Sequence, residues 1–121
     1  MKQKEDNIIV EKSYRYAVRC VNLYKYLCTE QQNYIIGKQL LRSSTSIAAN
    51  VKEAIRGQTT PDFAAKMNIA LKEASETEFW IELLRDTEYI TKKQAESMLA
   101  DNIELIKILT SIVKSSNTKN S

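Results

Sequence analysis

The sequence predicts an all-α chain folded as an antiparallel up-down-up-down four-helix bundle. Three observations carry that prediction. Apolar residues recur every three or four positions rather than alternating. The 121 residues include only 2 glycines and 1 proline, too little punctuation for the many turns of a β fold. The polar breaks are short, which makes consecutive helices antiparallel neighbours. A chain of this length supports one hydrophobic core, so 1–121 reads as a single domain.

The first helix is predicted over 8–29. Val10, Tyr14, Ala17, Val21, Tyr24 and Cys28 form one apolar stripe, and Tyr16, Cys20, Leu23 and Leu27 form a second beside it. The remaining polar strip holds Lys12, Arg15, Arg19, Asn22 and Lys25, a basic ridge flanked by Tyr16 and Tyr26. Two accounts of the ridge stay open: long cationic side chains covering apolar surface with their heads in water, or contacts to phosphates. The second helix is predicted over 34–56, with Asn33 as N-cap, Gly37 in or near the first turn and Gly57 as the C′ stop. Ser43, Ser44, Ser46, Ala48 and Ala49 occupy positions where an ordinary amphipathic helix carries Leu or Ile, so this helix expects another backbone very close.

Thr59, Thr60 and Pro61 open the third helix, predicted over 61–88, and Asp62 suits the positive end of its dipole. Its core stripe is Phe63, Met67, Ala70, Ala74, Thr77, Ile81 and Leu84. Thr91 and Gln94 form a capping box for the fourth helix, predicted over 92–114, with 115–121 as a frayed polar tail. Ala95, Leu99, Ile103, Ile106 and Val113 are expected to face inward, and Met98, Leu105, Leu109 and Ile112 to form a second stripe. Two stripes exceed what one face of a monomeric bundle needs, so the first and fourth helices are expected to meet an external neighbour.

Composition excludes several classes of function. Without any histidine there is no Ser-His-Asp triad, no His-based zinc site and no Glu-x-x-His di-iron site. Cys20 and Cys28, eight residues apart on one helix, lie about 12 Å apart along its axis and cannot pair with each other there. No apolar run reaches membrane-spanning length and 1–7 is polar, so a cytoplasmic protein without a membrane role is expected. Residues 1–57 carry ten Lys/Arg against five Asp/Glu, and residues 58–121 carry eight against ten. That asymmetry suits either an acidic partner such as nucleic acid or complementarity between packed hairpins or subunits.

Arg42, Ser46, Asn50 and Glu53 share one side of the second helix, and Glu73 and Glu76 share a face of the third with Ile69 and Trp80. If the helices pack, the carboxylates can meet Arg42 or Asn50 in a polar layer that fixes register. The competing reading uses Glu53, Glu73 and Glu76 for acid/base chemistry or a Mg²⁺ site, but nearly any helical bundle offers such carboxylates. No Gly-rich phosphate loop or activated nucleophile supports an enzyme, and neither metal nor cofactor is expected. Tyr16, Tyr24, Tyr26 and Tyr34 fit helical packing and could equally stack on unpaired bases.

The segments LLRSSTSIAANVKEA (40–54) and DFAAKMNIALKEASETEFWIELL (62–84) resemble the bacterial four helix bundle protein family, also called the ribosomal-RNA intervening-sequence protein family. The shared pattern falls on Leu40, Arg42, Ser43, Thr45, Ser46, Ile47, Ala49, Asn50, Glu53 and Ala54. It continues on Asp62, Phe63, Lys66, Ile69, Ala70, Lys72, Glu73, Ala74, Glu76, Phe79, Trp80, Leu83 and Leu84. The resemblance implies an antiparallel four-helix bundle assembled as a ring-shaped homopentamer. It also implies kinship with the accessory variability protein of diversity-generating retroelements, a basic pentamer that binds nucleic acid and a reverse transcriptase.

The resulting expectation is a non-enzymatic homo-oligomeric bundle that binds RNA or DNA without base specificity. Its candidate contacts are Lys12, Arg15, Arg19, Lys25, Lys38, Lys52 and Arg56. The alternative is an oligomeric scaffold that recruits a protein partner.

Overall fold

The computed structural model describes residues 4–57 and 59–120, with side chains described over 8–57 and 59–117. The described residues form four helices: α1 (Lys4–Thr29), α2 (Ile35–Ile55), α3 (Thr60–Asp86) and α4 (Lys92–Asn120). Among the described residues there is no strand. Each helix packs against the next, and α4 closes the bundle against α1 through the smallest of the four contact surfaces. The result is an antiparallel four-helix bundle, with α1 opposite α3 and α2 opposite α4.

Local chemistry explains the helix boundaries. The Asn33 side-chain oxygen accepts from the Ile36 N–H at 3.1 Å, which caps α2 from one residue before Tyr34. Thr59 is extended and its hydroxyl accepts from the Asp62 N–H at 3.1 Å, so α3 starts at Thr60 and Pro61 follows as its second residue. Thr91 and Gln94 close both bonds of the capping box, at 3.0 and 2.8 Å. Between α3 and α4, Glu88 takes the left-handed conformation (φ 67°), and the Tyr89 N–H bonds back to the Leu84 carbonyl at 2.9 Å. This turn ends α3 at Asp86, two residues earlier than predicted.

The two glycines have different structural settings. Gly57 follows the C-cap without a left-handed φ, so its position after α2 does not depend on glycine's conformational freedom. Gly37 is buried, and a Cβ there would come within 3.3 Å of the Tyr24 ring, so glycine lets α2 approach α1 closely. Ser43 and Ser44 are fully buried, as the small-residue composition of α2 anticipates. A 2.8 Å hydrogen bond joins the Ser43 and Thr77 hydroxyls between α2 and α3.

The core contains Tyr16, Cys20, Leu27, Leu40, Ile47, Met67, Ile81, Leu84, Leu105 and Leu109. In α3 the predicted stripe is buried from Met67 to Leu84, with Phe63 half-buried at its start. In α4 the predicted order of the stripes is reversed. Ala95, Met98, Leu105, Leu109 and Ile112 face the core with Asn102 among them, whereas Leu99, Ile106 and Val113 are half-buried and Ile103 is exposed. The core stripe was harder to recognise because it carries Asn102, whose Nδ2 donates to the Ala74 carbonyl of α3 at 3.1 Å. In α1 the buried residues are Ile9, Ser13, Tyr16, Ala17, Cys20 and Leu27, so Ala17 of the other predicted stripe is buried while its Tyr14 is 67% exposed.

Helix α4 also continues through 115–120, beyond the predicted end at 114. No glycine or proline interrupts that stretch, and Ser116 is buried. Residue 121, the last of the expected tail, lies outside the described residues.

Candidate functional site

Helices α2 and α3 bring the predicted polar residues together. The Arg42 guanidinium pairs with Glu73 at 3.5 Å and with Glu76, whose carboxylate also accepts from the Trp80 indole N–H at 2.9 Å. Ser46 donates to Glu73 at 3.1 Å, and the Asn50 amide reaches the Ser46 carbonyl at 2.8 Å and its hydroxyl oxygen at 3.0 Å. Asn50 therefore meets the carboxylates only through Ser46. Glu53 lies outside this cluster and pairs with Lys66 at 2.9 Å. Each carboxylate proposed for acid/base work is engaged in pairing, and Glu73, the least exposed, holds partners on two neighbouring turns of α2. The layer cross-links α2 to α3.

The seven basic candidates do not form one surface. Lys12 pairs with Glu104 at 3.2 Å and Arg19 with Asp101 at 2.6 Å, both across the α1–α4 seam, while Arg15 pairs with Glu11 along α1. Arg19 also donates to the Ser97 hydroxyl at 2.8 Å. Of the predicted ridge, Lys12 and Arg19 thus belong to an inter-helix ion-pair seam, whereas Arg15 is paired within α1. Lys25, Lys38, Lys52 and Arg56 are exposed and enter no ion pair among the described residues. Antiparallel packing places Lys25 and Lys38 at the bundle end where α1 finishes and α2 begins, with Lys52 and Arg56 at the opposite end.

Two adjoining recesses open at the Lys25 end. The larger, about 580 Å³, lies between Arg19, Asn22, Leu23 and Tyr26 of α1 and Lys93, Gln94, Ser97 and Met98 of α4. The smaller, about 300 Å³, includes Arg85, Glu88, Tyr89 and Lys92 and shares Tyr26 and Thr91 with its neighbour. Arg85 is held by Asp86 at 2.8 Å, and that hydrogen bond keeps the Asp86 carboxyl below the usual carboxylate range. Among the described residues, no three His, Cys, Asp or Glu side chains come together in a way suited to a metal ion.

Residues 5–111 match the family described as 23S rRNA-intervening sequence protein. The chain belongs to this intervening-sequence protein family. It is also similar to a solved protein of unknown function from the S23 ribosomal protein family of Bacteroides thetaiotaomicron. The two are 55% identical with a TM-score of 0.89, over 91% of this chain and 98% of that one. No curated protein matches the chain.

In this intervening-sequence family protein the four tyrosines singled out for base stacking diverge in setting. Tyr16 is buried, and desolvation raises the pKa of its hydroxyl; the Cys20 thiol adjoins it, but no hydrogen bond of ordinary geometry satisfies it. Tyr24 is half-buried against Gly37, and Tyr34 is exposed before α2. Tyr26 lines both recesses, with its hydroxyl accepting from the Gln31 amide at 3.0 Å. Sequence reasoning missed Lys92 and Lys93 because they lie in the half of the chain with net negative charge. The capping box beside them marked a helix start without indicating that α1 would lie across the recess.

No helix among the described residues is long and apolar enough to cross a membrane.

Proposed function

We propose that this protein is a non-enzymatic, self-associating helical bundle that binds RNA or DNA through phosphate contacts without base specificity. The observation that carries this reading is that the exposed cations Lys25, Lys38, Lys52 and Arg56 enter no ion pair among the described residues. The family description, which refers to an intervening sequence of 23S rRNA, is in keeping with an RNA-linked role. Self-association is supported by apolar side chains left outside the core: Tyr14 is 67% exposed, Ile35 82% and Phe79 52%. A ring-shaped homopentamer is the assembly implied by the family resemblance. A non-catalytic role is supported by the engagement of Glu73, Glu76 and Glu53 in inter-helix pairing.

Fluorescence anisotropy with a labelled RNA hairpin and a DNA duplex, at about 50 and 200 mM salt, tests the reading because multi-phosphate contacts lose affinity over that range. Micromolar or tighter binding that weakens at least about tenfold with added salt is expected for several phosphate contacts. Absence of binding at the lower salt would refute it. The exposed apolar residues favour a second reading, an oligomeric scaffold for a protein partner. That reading requires a specific partner retained through nuclease treatment and high salt.

A further inference from the structure

The larger recess between α1 and α4 differs chemically from the rest of the seam. Its wall contains Arg19 and Lys93 but no carboxylate. Leu23, Met98 and the Tyr26 ring supply apolar surface, and the exposed Asn22 offers an amide donor and acceptor. Lys93 enters no ion pair among the described residues, nor does Lys92, which lines the adjoining recess. Arg19 is fixed by Asp101 and Ser97, so its guanidinium is a positioned wall rather than a mobile surface charge.

We infer that this recess is a binding site for single-stranded nucleic acid, in which an unpaired base packs against Tyr26 and the flanking phosphates lie beside Lys92 and Lys93. The inference rests on the nucleic-acid reading above and assigns it a location and a strand preference. A volume of about 580 Å³ falls within the range of pockets that enclose small organic ligands. It can receive a base that has left its stack, whereas a base inside a duplex cannot enter a recess between two helices. Aromatic surface combined with cations and lacking carboxylates suits bases and phosphates together, as in sequence-tolerant single-strand binding. Lys25 and Lys38, at the same end of the bundle, extend the positive surface along which a strand can continue.

The test uses the full chain with a fluorescein-labelled single-stranded RNA of about 12 nucleotides, a length within single-strand site sizes, and the corresponding duplex. A parallel single strand carrying 4-thiouridine permits photocrosslinking. Single-stranded RNA is expected to bind more tightly than duplex, with crosslinks in peptides containing Tyr26 or Met98. Lys92→Gln/Lys93→Gln, at exposed positions, should weaken binding by about fivefold or more through lost phosphate contacts. Tyr26→Leu should weaken it by about fivefold or more through lost stacking. Lys72→Gln, at an exposed position on α3 that lines neither recess, should leave single-strand affinity within about twofold.

Tyr26 also packs on the core, so a misfolded Tyr26→Leu leaves the lysine variant and the crosslinks to decide. Binding with crosslinks elsewhere and no effect of Lys92→Gln/Lys93→Gln would overturn the recess as the site while leaving nucleic-acid binding intact. Equal or tighter binding of duplex would overturn the strand preference. No binding of either probe would overturn both proposals.

Discussion

Raising the pH should expose the energetic role of the buried Cys20–Tyr16 contact in a calculable way. Cys20 is fully buried, and desolvation pushes its thiol from the ordinary 9.0 up to about 11, outweighing the downward effects of Ser44, Tyr16 and Arg19. From pH 9.0 upward the unfolded chain releases a proton that the native state retains at this thiol. The stability contribution is therefore complete below 9.0 and is lost as pH rises toward 11. The limiting slope is about 1.4 kcal/mol per pH unit, and integration to about pH 10.5 gives a loss of about 2 kcal/mol from this group.

Tyr16 acts in the same direction above pH 10, because burial also raises the pKa of its hydroxyl. Urea midpoints at about pH 8 and about pH 10.5, followed by helical circular dichroism, measure the total effect. Cys20→Ala removes the thiol's share and costs about 1 kcal/mol through the lost sulfur at any pH. The alkaline loss should then be about 2 kcal/mol smaller in Cys20→Ala than in the wild type. Parallel losses in the two proteins would refute the linkage between the buried thiol and stability.

Three further substitutions test individual contacts. Thr77→Val removes the 2.8 Å hydroxyl pair with Ser43 and should cost about 1 kcal/mol in urea unfolding, with a smaller additional cost when Ser43→Ala is added. Glu88→Gly relieves a left-handed residue (φ 67°) between α3 and α4 and should stabilise the fold by about 0.5–1 kcal/mol, measured as a higher urea midpoint. Arg42→Ala removes the partner of Glu73 and Glu76. Because Arg42 is half-exposed, the cost should be limited to about 1 kcal/mol, accompanied by a change in Trp80 emission because Glu76 also holds the indole N–H.

Much of the fold was legible where one physical signal dominated. Thr59, Thr91 and Gln94 carry side chains suited to capping, and the predicted α3 stripe from Met67 to Leu84 is the buried one even though Ile69, Phe79 and Trp80 lie off it. The meeting of Arg42 with Glu73 and Glu76 followed from helical spacing once α2 and α3 were neighbours. In α1 and α4 each helix offers two apolar stripes, so periodicity alone could not choose between them. The choice depended on Ser13 and Asn102, polar residues inside the buried lines, and Asn102 belongs there because it bonds to a carbonyl of α3.

The basic candidates were legible as charges but not as pairs. Glu104 and Asp101 are 92 and 82 residues from Lys12 and Arg19, so only the bundle's closure brings them together. The α1–α4 recess was hidden for the same reason, since its two walls come from opposite ends of the chain. Gly37 was legible as a residue near a helix start, but its close contact with Tyr24 depends on the packing of α2 against α1.

The most direct measurement of the central claim compares two variants that each remove two positive charges, in anisotropy titrations with labelled RNA over a salt series. Lys25→Gln/Lys38→Gln removes cations that enter no ion pair among the described residues, whereas Lys12→Gln/Arg15→Gln removes cations paired with Glu104 and Glu11. The first variant should bind more weakly than the second and lower the slope of log K against log salt by up to about 2, the value for two lost phosphate contacts. Equal weakening by both variants would show that net charge alone governs binding and contradict a role for the unpaired cations; no RNA binding by the wild type would contradict the nucleic-acid function itself.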